Sequence, residues 1–397
     1  MISERAKNLQ QSATLKVTGR AKELARQGKS IVSLSAGEPD FKTPRFICDA
    51  AIQAINDGHH GYTMNAGTPE LREAIVAKLK RDNNLEYDAS QIICSNGAKQ
   101  SVGFALLAVI NKGDEVIIPA PYWVSYPEMV RLAEGESVIV RTSFDNDFKI
   151  TPEQLEDSIT DKTRALILCS PSNPTGSCYS KKDMEGLAEV LRKYPDIVIL
   201  SDEIYEYIVF DDEHVSILNV APDLKERVIL INGFSKGFAM TGWRLGYLAA
   251  TNEIVGAVSK IQSQETSAPS TISQKAGEAA YNGDLTEVHA MRDEFKKRRD
   301  FMVKSLNEIE GVSCFTPGGA FYVFPDISHY LGAKKADGTT IETSTDLCLF
   351  LLDECGLAVV PGDAFGEPNG LRMSYAASVS DLEEALSRFK KGLASLS

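Results

Sequence analysis

Between residues 91 and 232 short apolar runs recur with amphipathic stretches in the gaps, and no other pattern in the chain restricts its fold as much. Gln91–Ser95, Glu115–Pro119, Ser137–Arg141, Arg164–Cys169, Ile197–Ser201 and Val228–Asn232 read as strands. A strand solvated on one face alternates polar with apolar residues, whereas a strand covered on both faces stays apolar throughout. Between two of these runs, Lys181–Tyr194 places Met184, Leu187, Val190 and Leu191 at helical spacing on one face. Such alternation predicts an α/β fold with a mainly parallel sheet and helices on both sides. Helix starts are marked as well. Thr68-Pro69-Glu70 sets a cap and a first-turn proline before Leu71–Lys80, and Thr151-Pro152-Glu153 repeats the device.

The texture changes after residue 285. A long charged helix over Leu285–Glu310, with Met291, Phe295, Met302, Leu306 and Ile309 inward, leads into Ala320-Phe321-Tyr322-Val323-Phe324. A helix near Asp346–Cys355, a strand at Ala358–Val360 and a closing helix over Leu382–Leu393 follow. This reads as a smaller α+β domain completed by Ile31–Ser35. The expected division is residues 1–45 as an N-terminal arm with part of the small domain, 46–285 as the large domain and 286–397 as the small C-terminal domain. Ala333–Thr343 is the segment expected to be most mobile.

Charge narrows the partners. With 42 Lys and Arg against 55 Asp and Glu, the 397-residue chain carries −13, which disfavours nucleic acid. An anionic substrate must then be captured by a few locally placed cations. The seven cysteines form no CxxC pair and several sit in apolar runs, so they read as buried reduced thiols, with no metal site expected. No apolar run approaches the ~18 residues of a membrane helix. Met1-Ile2-Ser3-Glu4-Arg5 has no apolar stretch behind it, so a cytoplasmic location is expected.

Several short stretches offer chemistry. Gly233-Phe234-Ser235-Lys236 follows a strand and ends in a lysine; in an electropositive cleft such a lysine can lose its proton and attack an aldehyde. Read alone, it is more often a solvated surface lysine. Eight positions on, Arg244 stands in Gly242-Trp243-Arg244-Leu245-Gly246 and adds an anion clamp. Asp202, in Ser201-Asp202-Glu203-Ile204-Tyr205, sits at the carboxyl end of a strand, where α/β sheets place their ligand sites. It could keep a heterocyclic nitrogen protonated, with Tyr205 reaching a phenolate oxygen, or it could simply cap the next helix. Ser170-Pro171-Ser172-Asn173-Pro174-Thr175-Gly176 is a rigid turn with Asn173 as a donor to a ligand, or an ordinary turn. Ser95-Asn96-Gly97-Ala98-Lys99-Gln100, before a helix over Ser101–Ile110, would present backbone N–H groups to a phosphate, or merely start a helix.

In order, Asn173, Asp202, Tyr205, Lys236, Arg244 and Arg372, at intervals of 29, 3, 31, 8 and 128, resemble the fold-type I, class I pyridoxal-phosphate aminotransferases. The resemblance runs from Ser35-Ala36-Gly37-Glu38-Pro39-Asp40 to Leu371-Arg372-Met373-Ser374-Tyr375. It implies a seven-stranded, mainly parallel sheet and pyridoxal 5′-phosphate held on Lys236 as a Schiff base. Lys236 would also carry a proton between the substrate α-carbon and the cofactor. Asp202 would hold the pyridinium proton, and Asn173 and Tyr205 the ring oxygen. Gly97, Ala98, Ser235 and Arg244 would bind the phosphate, and Trp123 would stack on the ring. Arg372 would clamp the substrate α-carboxylate, with Gly37 leaving room beside it. Tyr62 would reach the phosphate of a neighbouring subunit, which implies a homodimer with shared sites.

Within that family the chain departs from the best-known aspartate enzymes, because Gln262–Pro269 holds no arginine for a distal carboxylate. Lys99 and the segment Ser12-Ala13-Thr14 resemble instead the bacterial subgroup Ib aspartate aminotransferases. The implied substrates are small amino and 2-oxo acids, L-aspartate with 2-oxoglutarate foremost. Some subgroup members add prephenate, and certain of those carry Lys-Pro where this chain has Gln10-Gln11. An aminotransferase for neutral or aromatic amino acids, or a lyase on the same fold, would retain most of these residues.

Overall fold

Inside the apolar runs, neighbouring side chains enter two different cores. Ile117, Leu166, Ile199 and Leu230 belong to one buried cluster. Val116, Ile118, Ile167, Leu200, Ile229 and Ile231 belong to another, on the opposite side of the sheet. A strand sends successive side chains to opposite faces, so a sheet buried on both sides needs apolar residues at every position.

A computed structural model describes residues 1–11 and 13–397. In chain order its strands are β1 (Val32–Ser33), β2 (Ile92–Ser95), β3 (Glu115–Ala120), β4 (Glu136–Arg141), β5 (Thr163–Cys169) and β6 (Val198–Asp202). There follow β7 (Val228–Gly233), β8 (Gly246–Ala249), β9 (Tyr322–Val323), β10 (Leu357–Ala358), β11 (Val360–Pro361) and β12 (Leu371–Ser374). Seven of them form one sheet in the order β2-β8-β7-β6-β5-β3-β4. Only β8 pairs antiparallel with its neighbours, so the other six strands point the same way. The carboxyl ends of β2, β3, β5, β6 and β7 therefore share one edge of the sheet. The reversed β8 brings its first residue, Gly246, to that same edge opposite Ser95 and Gly233.

Helix caps act as the sequence suggests. Thr68 Oγ1 accepts from Leu71 N before the helix Pro69–Asn83, and Thr151 does the same for Gln154 N within a capping box. The helix Lys181–Lys193 buries Met184, Leu187, Val190 and Leu191 together and is capped by Ser180.

The six strands expected from the sequence lie within one residue of their observed bounds, but β8 escapes notice because it is the short tail of a glycine-rich stretch. The expected strand Ala358–Val360 is corrected to two. Leu357–Ala358 pairs in parallel with β1, and past Val359 the chain turns to pair Val360–Pro361 antiparallel with β12. The segment expected to be most mobile, Ala333–Thr343, forms a small hairpin bridged between Lys334 and Thr340 and tied to Ser397 by backbone bonds. A third large cluster gathers Leu34, Phe295, Leu306, Tyr322, Leu351, Leu371 and Phe389 around β9, β11 and β12. No helix among the described residues is long and apolar enough to cross a membrane.

Candidate active site

The shared strand edge opens into a cavity of about 390 Å³. Its wall holds Lys236 after β7, Asp202 at the end of β6, Asn173 after β5, Trp123 after β3, and Ala98 with Lys99 after β2. Arg244 precedes β8, and Arg372 reaches in from β12. Gly37, Tyr205, Ser235 and Thr14 complete the predicted set in the wall. Tyr62 and Gly97 do not line the cavity, and Ser12 lies outside the described residues. Tyr62 is fully solvent-exposed. Gly97 stands directly behind Ala98 as the residue before the helix Ala98–Val109.

Asp202 is 4% exposed, and Tyr126 Oη donates to its Oδ2 at 2.7 Å while Ile204 N donates to Oδ1 at 3.3 Å. Burial, which disfavours the charged form, raises its carboxyl to about 6, with the Glu203 charge next to it adding to the shift. Lys236 Nζ donates to the Gly37 carbonyl and lies 5.8 Å from the centres of the Tyr205 and Phe321 rings. Burial, then repulsion from Arg372, pulls its ammonium down to about 8. That places a neutral, nucleophilic amine within reach near neutral pH.

Arg372 is 2% exposed; its Nη1 donates to Asn173 Oδ1 at 2.9 Å and its Nη2 to the Ser35 carbonyl at 2.8 Å. Among the described residues its Nε has no partner, so one buried donor remains for a ligand. Asn173 is thus first an acceptor for Arg372, a role the turn sequence does not suggest.

Arg244 adopts φ 54° and hangs its guanidinium over Gly97. A Cβ on Gly97, itself at φ 87°, would meet Arg244 Nη2 at 2.6 Å. A Cβ on Gly246 would stand 2.3 Å from Ala98 N. The two glycines therefore let a cation and a helix start converge, and a twelve-residue helix presents free N–H groups there. Lys99 Nζ sits 5.2 Å from the centre of the Trp123 ring, and burial followed by Arg244 holds its ammonium below the usual lysine range.

Nothing in the sequence singles out Tyr126 and Tyr322. Tyr126 touches Trp123 edge-on, three residues earlier in the turn before its helix, and that closeness in sequence is the only available hint. Tyr322 Oη lies 2.9 Å from Tyr205 Oη, and the Arg372 guanidinium stands 4.5 Å from the centre of the Tyr322 ring.

These groups fit pyridoxal phosphate. The buried Asp202 has hydroxyl and amide donors but, among the described residues, no cation bonded to it, so a protonated ring nitrogen would complete it. The cradle of Arg244, Gly97 and the helix start suits a phosphate, and the unpartnered Arg372 Nε suits a carboxylate.

The family model for aminotransferase class I and II matches residues 29–389. The chain is 50% identical to a bifunctional aspartate aminotransferase and glutamate/aspartate-prephenate aminotransferase of Petunia hybrida, covering 100% of this chain and 83% of that one. It is 46% identical to an aspartate/prephenate aminotransferase of Nitrosomonas europaea over 98% of each. Among solved structures, an aspartate aminotransferase from Rhizobium meliloti superposes with a TM-score of 0.97 at 43% identity over 100% of both chains. One from Thermus thermophilus, solved with maleate, gives 0.92 at 39% identity over 99% of both.

Proposed function

The chain belongs to the class I and II aminotransferases, which depend on pyridoxal phosphate, and from that premise we propose that it transfers the amino group of L-aspartate to 2-oxoglutarate in two half-reactions. Prephenate is proposed as a further amino acceptor. One observation carries the reading: besides Lys236, three cations, Lys99, Arg244 and Arg372, face a cavity whose wall has a single carboxylate, Asp202. Three anionic groups would match them, namely a phosphate and the two carboxylates of a four-carbon amino acid. A neutral amino acid would leave the exposed Lys99 ammonium at the cavity wall paired only with water, whereas a second carboxylate gives it a partner. The Thermus relative, solved with maleate, supports a dicarboxylate at this site, as do the relatives' names.

When bound, the cofactor supplies an electron-withdrawing protonated ring that weakens bonds at the substrate α-carbon. Asp202 holds the ring proton, and Tyr126 keeps the Asp202 carboxylate aimed. Asn173 and Tyr205 would hold the ring oxygen, Trp123 would pack against the ring, and Ser235, Ala98, Gly97 and Arg244 would hold the phosphate. Arg372 fixes the α-carboxylate beside Gly37, while Lys99, with Thr14 and Ser12, takes the distal one. Lys236, freed as an amine, removes the α-proton and returns it on the other side of the exchange.

Separate apolar clusters beside the large sheet and around β9–β12 support large and small domains near the expected boundaries, residues 1–45, 46–285 and 286–397. A homodimer with shared sites is supported by fully exposed Tyr62, by exposed Ile52, Ile55 and Met64, and by an open hollow beside Arg244 lined by Asn96, Trp243, Ser270 and Ser273. A cytoplasmic location remains part of the proposal.

The test is a single half-reaction. L-aspartate added to the loaded protein without an acceptor is expected to bleach the cofactor's visible absorption, and 2-oxoglutarate to restore it. A lyase would not give this reversible amine form, and failure to bleach sinks the reading. Lys99→Ala is expected to lower kcat/KM for L-aspartate about 100-fold while changing that for L-phenylalanine little. Unchanged aspartate turnover would instead favour the neutral-substrate reading.

A further inference from the structure

Along Asp202–Glu206 the side chains divide between two environments. Asp202 and Tyr205 line the cavity, whereas Glu203 and Glu206 are buried outside its wall, at 1% and 8% exposure. Each of these glutamates has charged and neutral donors from another part of the fold. Glu203 Oε1 accepts from Ser201 Oγ at 2.8 Å and Ser216 Oγ at 2.7 Å, and its Oε2 lies 2.9 Å from His214 Nε2. Ser216 also caps the short helix Ile217–Val220, so this half of the network joins the segment to the chain that follows it. Glu206 Oε1 pairs with Lys78 Nζ, and its Oε2 accepts from Asn83 Nδ2 at 2.8 Å. Lys78 is wholly buried and also donates to Asn83 Oδ1 at 2.7 Å; both belong to the helix Pro69–Asn83.

Glu203, Glu206 and His214 bring their ligand atoms within 4.8 Å of one another, yet they make no cation site, because the Lys78 ammonium already pairs with Glu206. A buried ion pair adds little net stability over apolar residues of equal volume, but separating its charges costs a great deal. Its physical effect is to permit one geometry and penalise its neighbours. Here two such pairs grip a five-residue segment from behind, one at Glu203 and one at Glu206. Any shift of Asp202 or Tyr205 within the cavity would have to pull a buried charge off its partner. At the His214–Glu203 contact, His214 lies above its usual range despite burial because of Glu203 and Glu206, and Glu203 lies below its own, despite burial, because of His214 and the two serines, so each group favours the charged form of the other.

We propose that Lys78–Glu206 and His214–Glu203 form a two-point brace whose members are positioning residues for the reaction, holding Asp202 and Tyr205 in register with the cofactor. Placement within a fraction of an ångström is what such a brace can supply, and reaction rates are sensitive on that scale. The proposal rests on the reading of Asp202 and Tyr205 as cofactor-holding residues.

The experiment compares Lys78→Met/Glu206→Met, which removes one pair without stranding a charge, with His214→Leu and His214→Gln. Amide hydrogen exchange over residues 203–208 is followed in the cofactor-free protein, alongside thermal unfolding. In the loaded protein, the L-aspartate half-reaction and the pH midpoint of the cofactor absorption are recorded. The expected result is exchange at 203–208 faster by about tenfold in the double variant and in His214→Leu. Their half-reactions should slow by roughly 10- to 100-fold with a displaced absorption midpoint. His214→Gln, which keeps a donor to Glu203, should recover most of the rate.

Lowered thermal stability with unchanged local exchange, rate and midpoint would reduce the pairs to ordinary scaffolding and overturn the proposal. If the double variant does not fold, the contrast between His214→Leu and His214→Gln decides alone, and equal rates there overturn it. If the parent protein does not bleach with L-aspartate, the functional reading fails, whereas the exchange measurement still reports on the brace.

Discussion

At the scale of single residues, the site holds two groups whose ordinary protonation states are displaced in opposite directions. Asp202 titrates near 6 in the folded, cofactor-free protein, above the usual 3.8 of an unfolded chain. The folded state therefore binds that proton more tightly, so ionised Asp202 penalises folding above pH 6 and the penalty fades as pH falls toward 4. At ~1.4 kcal/mol per pH unit the penalty is on the order of 2–3 kcal/mol. Asp202→Asn should thus stabilise the cofactor-free protein at pH 7 by up to about that amount, measured by urea unfolding, with the gain shrinking at pH 5. The same change should slow the L-aspartate half-reaction by about 10²- to 10⁴-fold, because a neutral amide cannot hold the ring proton. Lys236 is displaced downward, to about 8, and only its neutral amine attacks a carbonyl. Capture of pyridoxal phosphate by the cofactor-free protein, followed by stopped-flow absorbance, should accelerate about tenfold per pH unit up to 8 and then level off. A flat profile from pH 7 to 9 would show that the lysine is not held as the structure has it.

At the scale of elements, the site exists because the carboxyl ends of parallel strands and the start of one reversed strand meet at a single edge. The residues legible in the sequence are those attached to such ends: Asp202 closes β6, Lys236 follows β7, and Asn173 follows β5. Apolar runs mark strands, and what comes directly after a run is placed at the edge by topology alone. Partnerships across the fold leave no such trace. Tyr126 reaches Asp202 over 76 residues and Tyr205 meets Tyr322 over 117, so neither bond follows from local pattern. Asn173 likewise showed as a donor in a turn, while its bond to Arg372 depends on how β12 approaches β5. The break at Val359 was illegible for a related reason: an unbroken apolar run does not show that its two halves pair with different sheets. Where β8 meets the helix Ala98–Val109, Gly246 has no space for a Cβ, 2.3 Å from backbone. Gly246→Ala should force the helix start away from Arg244 and weaken cofactor affinity by roughly 10- to 100-fold, read by equilibrium dialysis, because phosphate capture at a helix start needs close approach.

At the scale of the whole molecule, the net charge of −13 and the cation-lined cavity describe one design: the surface repels anions except where Lys99, Arg244 and Arg372 converge. One predicted phosphate contact stands outside that convergence. Tyr62 is exposed and no part of its own cavity wall, as expected if it serves the site of a second copy of the chain. If the tyrosine serves the other subunit, a site draws Lys236 from one chain and Tyr62 from its neighbour. Two defective chains can then repair each other. Lys236→Ala and Tyr62→Ala, refolded together in equal amounts, give hybrids in about half of the dimers, and each hybrid contains one site with both native residues. At limiting pyridoxal phosphate, where sites lacking the tyrosine stay mostly empty, the mixture should regain about a quarter of the parent's L-aspartate turnover. Each variant refolded alone should stay far below that level. A mixture that gives only the average of its components would mean that no site draws its tyrosine from the neighbour, and a Tyr62→Ala variant as active alone as the parent would mean that Tyr62 has no part in phosphate binding.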